Sequence, residues 1–196
     1  VAAIVTNDIE TIALYLATAA VGAIWASCSP DFGPAGASDR LAQIAPKLVV
    51  AVTGYGYGGK RFDVTASINA VAAAAAVNRI VLLGEPPIGL AGYSRPATTL
   101  ETWLAPHAAG PIEYCRQPFD APLAILFSSG TTGKPKCIVH SAGGLLLTHL
   151  KEHIVACDIR AGDRFFYFTT TGWMMWNWLV TGLALGAVLV TYDGNP

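Results

Sequence analysis

The residues best suited to chemistry lie between 126 and 136, where the chain reads Leu-Phe-Ser-Ser-Gly-Thr-Thr-Gly-Lys-Pro-Lys. A buried strand ends at Phe127 and releases a loop dense in hydroxyls, glycines and two lysines. Gly130 and Gly133 let backbone N–H groups turn toward an anion with no Cβ in the way. Ser128, Ser129, Thr131 and Thr132 add neutral donors, and Lys134 and Lys136 add positive charge. Such a nest suits a polyphosphate. It is not the P-loop, which needs GxxxxGK(S/T) running into a helix. Here Gly130 and Gly133 stand three apart, Pro135 follows Lys134, and Cys137-Ile-Val-His140 reads as strand. The plain alternative is a solvated hairpin, the usual fate of Gly/Ser/Thr/Pro clusters.

Other segments carry weaker signals. Gly172-Trp-Met-Met-Trp-Asn177 sets bulky side chains in a row at a helix start, a composition that ordinarily belongs to a core. His149-Leu-Lys-Glu-His153 fits H-x-x-E-H, in which two histidines one helical turn apart hold zinc. A third ligand has no evident source, and the segment reads as a polar face of an amphipathic helix with Leu146 and Leu150, so no metal is expected there. Gly54–Lys60 is rich in glycine but lacks GxGxxG order and reads as a Tyr-bearing turn. His140 lies where the loop's second strand meets a helix, as a core or capping histidine or as a support near a nucleotide. Cys28, Cys115, Cys137 and Cys157 are widely spaced without any CxxC, which gives no zinc framework and suits four reduced thiols in a cytoplasmic setting.

Regular elements must position these groups. Val1–Val5 reads as a strand, and Asn7 or Asp8 caps a helix with Ile9, Ile12, Leu16 and Ala20 at helical spacing, closed by Gly22. A short buried strand at 23–27 is followed by a helix that has Pro34 in its first turn and ends before Pro46. Strands follow at 47–52 and 79–83, around a helix at 67–77. From Gly84 to Pro122 the chain is rich in Pro and Gly and reads as an irregular connection with Trp103 as its anchor. Strands at 123–127 and 136–140 flank the hydroxyl-rich loop. A helix at 142–156, a strand at 164–168, a helix at 173–185 and a strand at 187–192 complete the chain. Alternating strands and helices, with strands apolar on both faces, predict an α/β fold with a mainly parallel sheet and helices on both faces.

Composition narrows the class. The 196 residues hold 13 acidic and 12 basic side chains, a net charge of −1, and only 13% are charged while 53% are hydrophobic. Mean hydropathy is +0.47. Low charge excludes a disordered chain, and balanced charge removes the electrostatic case for nucleic acid. No charged residue occurs between Glu10 and Asp31 or between Arg164 and Asp193. Both gaps match a bilayer in length. They are broken by Thr, Ser, Gly and Pro and lack flanking basic clusters, so no membrane partner is expected. Val1–Val5 has no Met and no basic segment and does not resemble a signal peptide. So little charge also implies that further polypeptide covers apolar faces of this chain.

From Ser128 to Lys136 the string resembles the phosphate loop of the adenylate-forming enzymes, the acyl-CoA synthetases and their relatives, whose pattern is close to (S/T)SGTTGxPK. The stretch from Arg164 to Asn177 is similar to that of acetoacetyl-CoA synthetases, where acetyl- and propionyl-CoA synthetases carry Gly-Trp followed by small residues. Gly22–Gly33, Gly54–Lys60 and Tyr192–Pro196 resemble the same subfamily. This resemblance implies an internal piece of a large N-terminal adenylation domain, with residues 1–118 as a first α/β portion with an irregular tail. Residues 119–196 would then be the phosphate-loop portion, with the C-terminal domain and its catalytic lysine outside the chain. It implies ATP-dependent ligation of acetoacetate to CoA through an acyl-adenylate, with Mg²⁺ on the phosphates. An acetyl- or propionyl-type synthetase and a nucleotide-binding segment without catalysis are the alternatives. Ser128, Ser129, Gly130, Thr131, Thr132, Gly133, Lys134 and Lys136 would bind nucleotide, with Thr131 to Lys134 around the β- and γ-phosphates. Trp173, Met174 and Met175 would shape the pocket for a four-carbon keto acid. Without the downstream motifs, the 196-residue chain by itself is expected not to form acyl-adenylate.

Overall fold

The computed structural model describes residues 1–128 and 133–195. Strand β1 (Ala2–Ile4) leads into helix α1 (Ile9–Ala20), whose N-cap is Asp8, since its Oδ1 accepts from the Thr11 N–H at 2.8 Å. Gly22, at φ +73°, turns the chain out of that helix. Strand β2 (Ala26–Cys28) and a 3₁₀ turn at Pro30–Phe32 precede helix α2 (Gly33–Leu41). Strand β3 (Leu48–Val52) is followed by β4 (Gly54–Tyr57) and β5 (Lys60–Asp63), then helix α3 (Thr65–Ala74) and strand β6 (Arg79–Leu83).

Three of these differ from expectation. Gly54–Lys60 is an antiparallel hairpin rather than a mere turn, and Gly58 and Gly59 at φ +56° and +73° supply the two left-handed residues of its tight loop. The stretch from Gly84 to Pro122 is not wholly irregular. It holds strand β7 (Ala97–Thr99), which pairs parallel with β6, and helix α4 (Leu100–Leu104). On α1 the buried side is Thr11, Ile12, Tyr15 and Thr18, while Ile9 and Leu16 face outward.

The central sheet has the order β2-β1-β3-β6-β7, and every pairing in it is parallel. Both faces are covered, and the period-two pattern shows it. Ala2, Ile4, Val49, Ala51, Ile80 and Leu82 pack with Ala37, Leu41, Ile68 and Val71 of α2 and α3. Ala3, Val5, Val50 and Val81 pack on the other face with Ile12 and Tyr15 of α1 and with Trp176 and Val180. Strands buried on both sides have no use for alternating polar residues, which accounts for the low charge of the sequence. At about 1.5–3 kcal/mol for each large aliphatic side chain taken from water, these two layers supply the main stabilisation.

Beyond β2, strand β8 (Pro122–Ser128) joins through a parallel bridge between Trp25 and Ala124. Trp25 N–H donates to the Leu123 carbonyl at 2.9 Å, and the Ile125 N–H donates to the Trp25 carbonyl at 2.8 Å. Strand β9 (Lys136–Ser141) returns antiparallel to β8. Helix α5 (Ala142–Lys151) continues into a π-turn at Glu152–Ala156. Short strands β10 (Arg164–Phe165) and β11 (Val188–Leu189) flank helix α6 (Met174–Thr181). No helix among the described residues is long and apolar enough to cross a membrane.

Candidate functional site

The hydroxyl-rich loop connects β8 to β9. Ser128 faces Lys136 across the last register pair, and Phe127 faces Cys137. Because β8 runs parallel to the Trp25 segment, its carboxyl end leaves the sheet at the edge where β1, β2 and β3 also end, the usual ligand side of an open parallel sheet. Gly133 stands at φ +108°, a conformation that favours glycine, and no atom of the described residues lies within 4 Å of where its Cβ would be. Lys134 and Lys136 are exposed. Ser129, Gly130, Thr131 and Thr132 lie outside the described residues. Gln43 holds the returning arm by donating from Nε2 to the Pro135 carbonyl at 3.0 Å. Nothing in the local sequence around Gln43 marks it for this task.

At its other end β9 forms the wall of a cavity of about 690 Å³. Val139, His140 and Ser141 line it with Leu145, Thr148 and His149 of α5, and with Met174, Met175 and Trp178 of α6. Lys136 and His140 are four residues apart on one strand, about 13 Å at the rise of an extended chain. A single hairpin thus carries the cationic loop at one end and the cavity wall at the other. Ser141 caps α5, accepting from the Gly144 N–H at 3.3 Å, so the capping role falls to Ser141 rather than His140.

The first turn of α6 is fixed from behind. Trp176 is fully buried and donates from Nε1 to Asn7 Oδ1 at 2.9 Å. Its ring packs with Tyr15 and Trp25, with centroids 5.4 and 6.5 Å away. Thr171 donates from Oγ1 to the Val5 carbonyl at 2.7 Å. Ser27 Oγ accepts from Trp25 Nε1 at 3.0 Å and donates to the Thr171 carbonyl at 2.6 Å. With Trp176 and Asn177 held inward, Met174 and Met175 must face the cavity. Trp173 does not line that cavity: it is 61% exposed and lines, with Tyr167, Phe168 and Met175, a neighbouring hollow of about 250 Å³. Met175 touches both spaces. Asn7, read in the sequence only as a possible cap, instead ties α6 to the end of the chain, donating also to the Tyr192 carbonyl at 3.5 Å.

The H-x-x-E-H histidines do not form an outward polar face. His149 and His153 continue the buried stripe begun by Leu145, and Leu146 and Leu147 face outward instead. His149 Nδ1 meets Thr181 Oγ1 at 2.7 Å, and His153 Nε2 meets the Trp178 carbonyl at 2.9 Å. Burial pushes the His149 pKa down to about 4, with His153 and His140 adding to the effect, and burial also lowers His153. Among the described residues no cluster of three His, Cys, Asp or Glu side chains is disposed to hold a metal.

Comparison with known proteins gives this geometry a context. The family model described as AMP-binding enzyme matches residues 1–196. The chain is 58% identical to acetoacetyl-coenzyme A synthetase of Rhizobium meliloti (strain 1021), over 100% of this chain and 30% of that protein. It is 42% identical to malonamoyl-CoA synthetase vrtB of Penicillium aethiopicum, over 100% of this chain and 28% of that one. The solved structure of acetoacetyl-CoA synthetase from Streptomyces lividans superposes with a TM-score of 0.89 at 42% identity, covering 99% of this chain and 29% of that chain. The chain therefore spans less than a third of the length of the relatives it matches. Since the family model matches this chain over residues 1–196, the chain belongs to the AMP-binding enzyme family.

Proposed function

We propose that this chain is the phosphate-loop and acyl-pocket portion of an ATP-dependent acetoacetate–CoA ligase. The observation that carries the reading is the β8–β9 hairpin, which links the cationic loop at Lys134 and Lys136 to a cavity walled by Met174 and Met175. In the first half-reaction the acid's carboxylate oxygen bonds to the α-phosphorus of ATP and the bond to pyrophosphate breaks. In the second, the thiol sulfur of CoA bonds to the acyl carbon and AMP leaves. Neither half needs covalent help from the protein, so positioning and charge stabilisation dominate.

The loop suits a triphosphate: two exposed lysines follow Gly133, whose φ of +108° other residues rarely adopt. Ser128, Ser129, Gly130, Thr131, Thr132 and Gly133 would donate to phosphate oxygens. Lys134 would neutralise the departing pyrophosphate, and Lys136 would brace the loop. Mg²⁺ bound to the phosphates would add to that charge stabilisation. Met174 and Met175 would close on the acyl tail where smaller residues would leave room, while Trp173 would border the entrance on the side of Tyr167. Residues 1–118 and 119–196 serve as two portions of one adenylation domain, and a cytoplasmic setting in lipid metabolism suits soluble short acids as substrates.

Pyrophosphate exchange into ATP tests the reading in the complete polypeptide that carries this sequence. Acetoacetate supports exchange more strongly than acetate or propionate, and Lys134→Ala lowers the rate by about a hundredfold, as for loss of one charge-stabilising donor. Exchange that acetoacetate does not stimulate would contradict it.

A further inference from the structure

His149 belongs to the motif that spacing alone suggested as a zinc pair, and it is not used by the reaction as described. It lines the same cavity as Met174 and Met175 and is only 5% exposed. The proton positions around it follow from its partners. The Thr181 hydroxyl has one proton, and the Asn177 carbonyl lies 2.6 Å from Oγ1, a distance that requires Thr181 to donate there. The 2.7 Å contact between Oγ1 and His149 Nδ1 is then made by Nδ1–H donating to Thr181. Burial keeps the ring neutral near pH 7, its pKa lying at about 4. A neutral imidazole with its proton on Nδ1 has a bare lone pair on Nε2. Among the described residues no group pairs with Nε2, so this acceptor is left to the cavity. Glu152 lines the same wall.

We propose that His149 is a specificity-determining residue whose Nε2 accepts a hydrogen bond from the acyl tail, so that the cavity takes short acids bearing a hydroxyl or amide N–H in preference to plain alkyl acids. The inference rests on the cavity being the acyl pocket. A keto oxygen has no proton to offer Nε2 and is held there through a water that donates to both. A hydroxyl or amide N–H makes the bond directly, and a methylene in its place leaves a desolvated acceptor unpaired.

Steady-state adenylation by the complete polypeptide tests this with butyrate, 3-hydroxybutyrate and 4-hydroxybutyrate, the last two sampling two depths along the tail. At least one hydroxy acid is expected to exceed butyrate in kcat/KM by about tenfold or more. His149→Leu is expected to lower that ratio by about tenfold, and His149→Gln, whose amide oxygen still accepts, to restore part of it. A wild-type ratio near one would overturn the proposal, and so would a ratio that His149→Leu leaves unchanged. A uniform fall for all three acids would assign His149 a structural role only. Should His149→Leu fail to fold, the wild-type ratio and the His149→Gln variant still decide. Acetoacetate is the control arm: if neither it nor any other acid supports adenylation, the acyl-pocket reading fails, whereas acetoacetate turnover without a His149-dependent ratio removes only this inference.

Discussion

Single side chains in this site are held by partners far away in sequence. Ser27 is the clearest case, because one hydroxyl serves both the Trp25 indole and the Thr171 carbonyl. Ser27→Ala leaves two buried polar groups unpaired, and urea melts should show a loss of about 1–3 kcal/mol per unpaired group. His149 gives a pH signature. Its folded pKa of about 4 lies below the ordinary value of 6.5, so the unfolded chain binds more protons between those limits. The His149 contribution is fully present above about pH 6.5 and is lost as pH falls toward 4, with a slope of up to about 1.4 kcal/mol per unit for one proton. His153 acts in the same direction. His149→Gln should flatten the fall of Tm between pH 6.5 and 4 without abolishing it. Spacing made these histidines visible in the sequence, yet their orientation was not legible there. Leu146 and Leu150 looked like the inner stripe, whereas the inner stripe is Leu145, His149 and His153, two of them polar.

At the scale of elements, the β8–β9 hairpin connects the hydroxyl-rich loop to the cavity lined by Met174 and Met175. Gly133 tests that connection, since its φ is +108° and nothing among the described residues lies within 4 Å of its missing Cβ. Gly133→Ala puts a side chain at a φ that other residues rarely adopt, at about 1–3 kcal/mol for a sparsely populated backbone region. The expected result is about a tenfold or greater fall in kcat/KM for ATP with the far-UV circular dichroism unchanged. Long, two-faced strands such as β3 and β6 were readable because apolar runs of this kind belong to buried parallel sheets. Shorter elements escaped: β7 has three residues and α4 five, too few for any periodicity to show. In β4 the alternation of Gly and Tyr is a strand pattern that hydropathy cannot see, because glycine contributes no side chain. On α1, Thr11 and Thr18 take inward positions that Ile9 and Leu16 seemed to claim.

For the molecule as a whole, low charge and exposed apolar surface belong together. Val139, Leu147, Val155, Phe166 and Phe168 are exposed, and β9 is bonded only to β8 among the described strands. Such faces and edges call for a covering layer, in keeping with a chain that spans less than a third of its relatives' length. The hydroxyl-rich loop was legible as a string because its residue types and order are so particular, whereas the cavity lined by β9, α5 and α6 was not. The cavity depends on α5 and α6 meeting across β9, a long-range arrangement; of Trp173, Met174 and Met175, expected to shape it, the two methionines line it. The most direct test is a crystal structure of the complete polypeptide with a hydrolysis-resistant acetoacetyl-adenylate analogue. The account predicts phosphate oxygens on the loop between Ser128 and Lys136, and an acyl tail between Met174, Met175 and His149. An acyl tail lodged in the hollow of Tyr167, Phe168 and Trp173, away from His149, would contradict it.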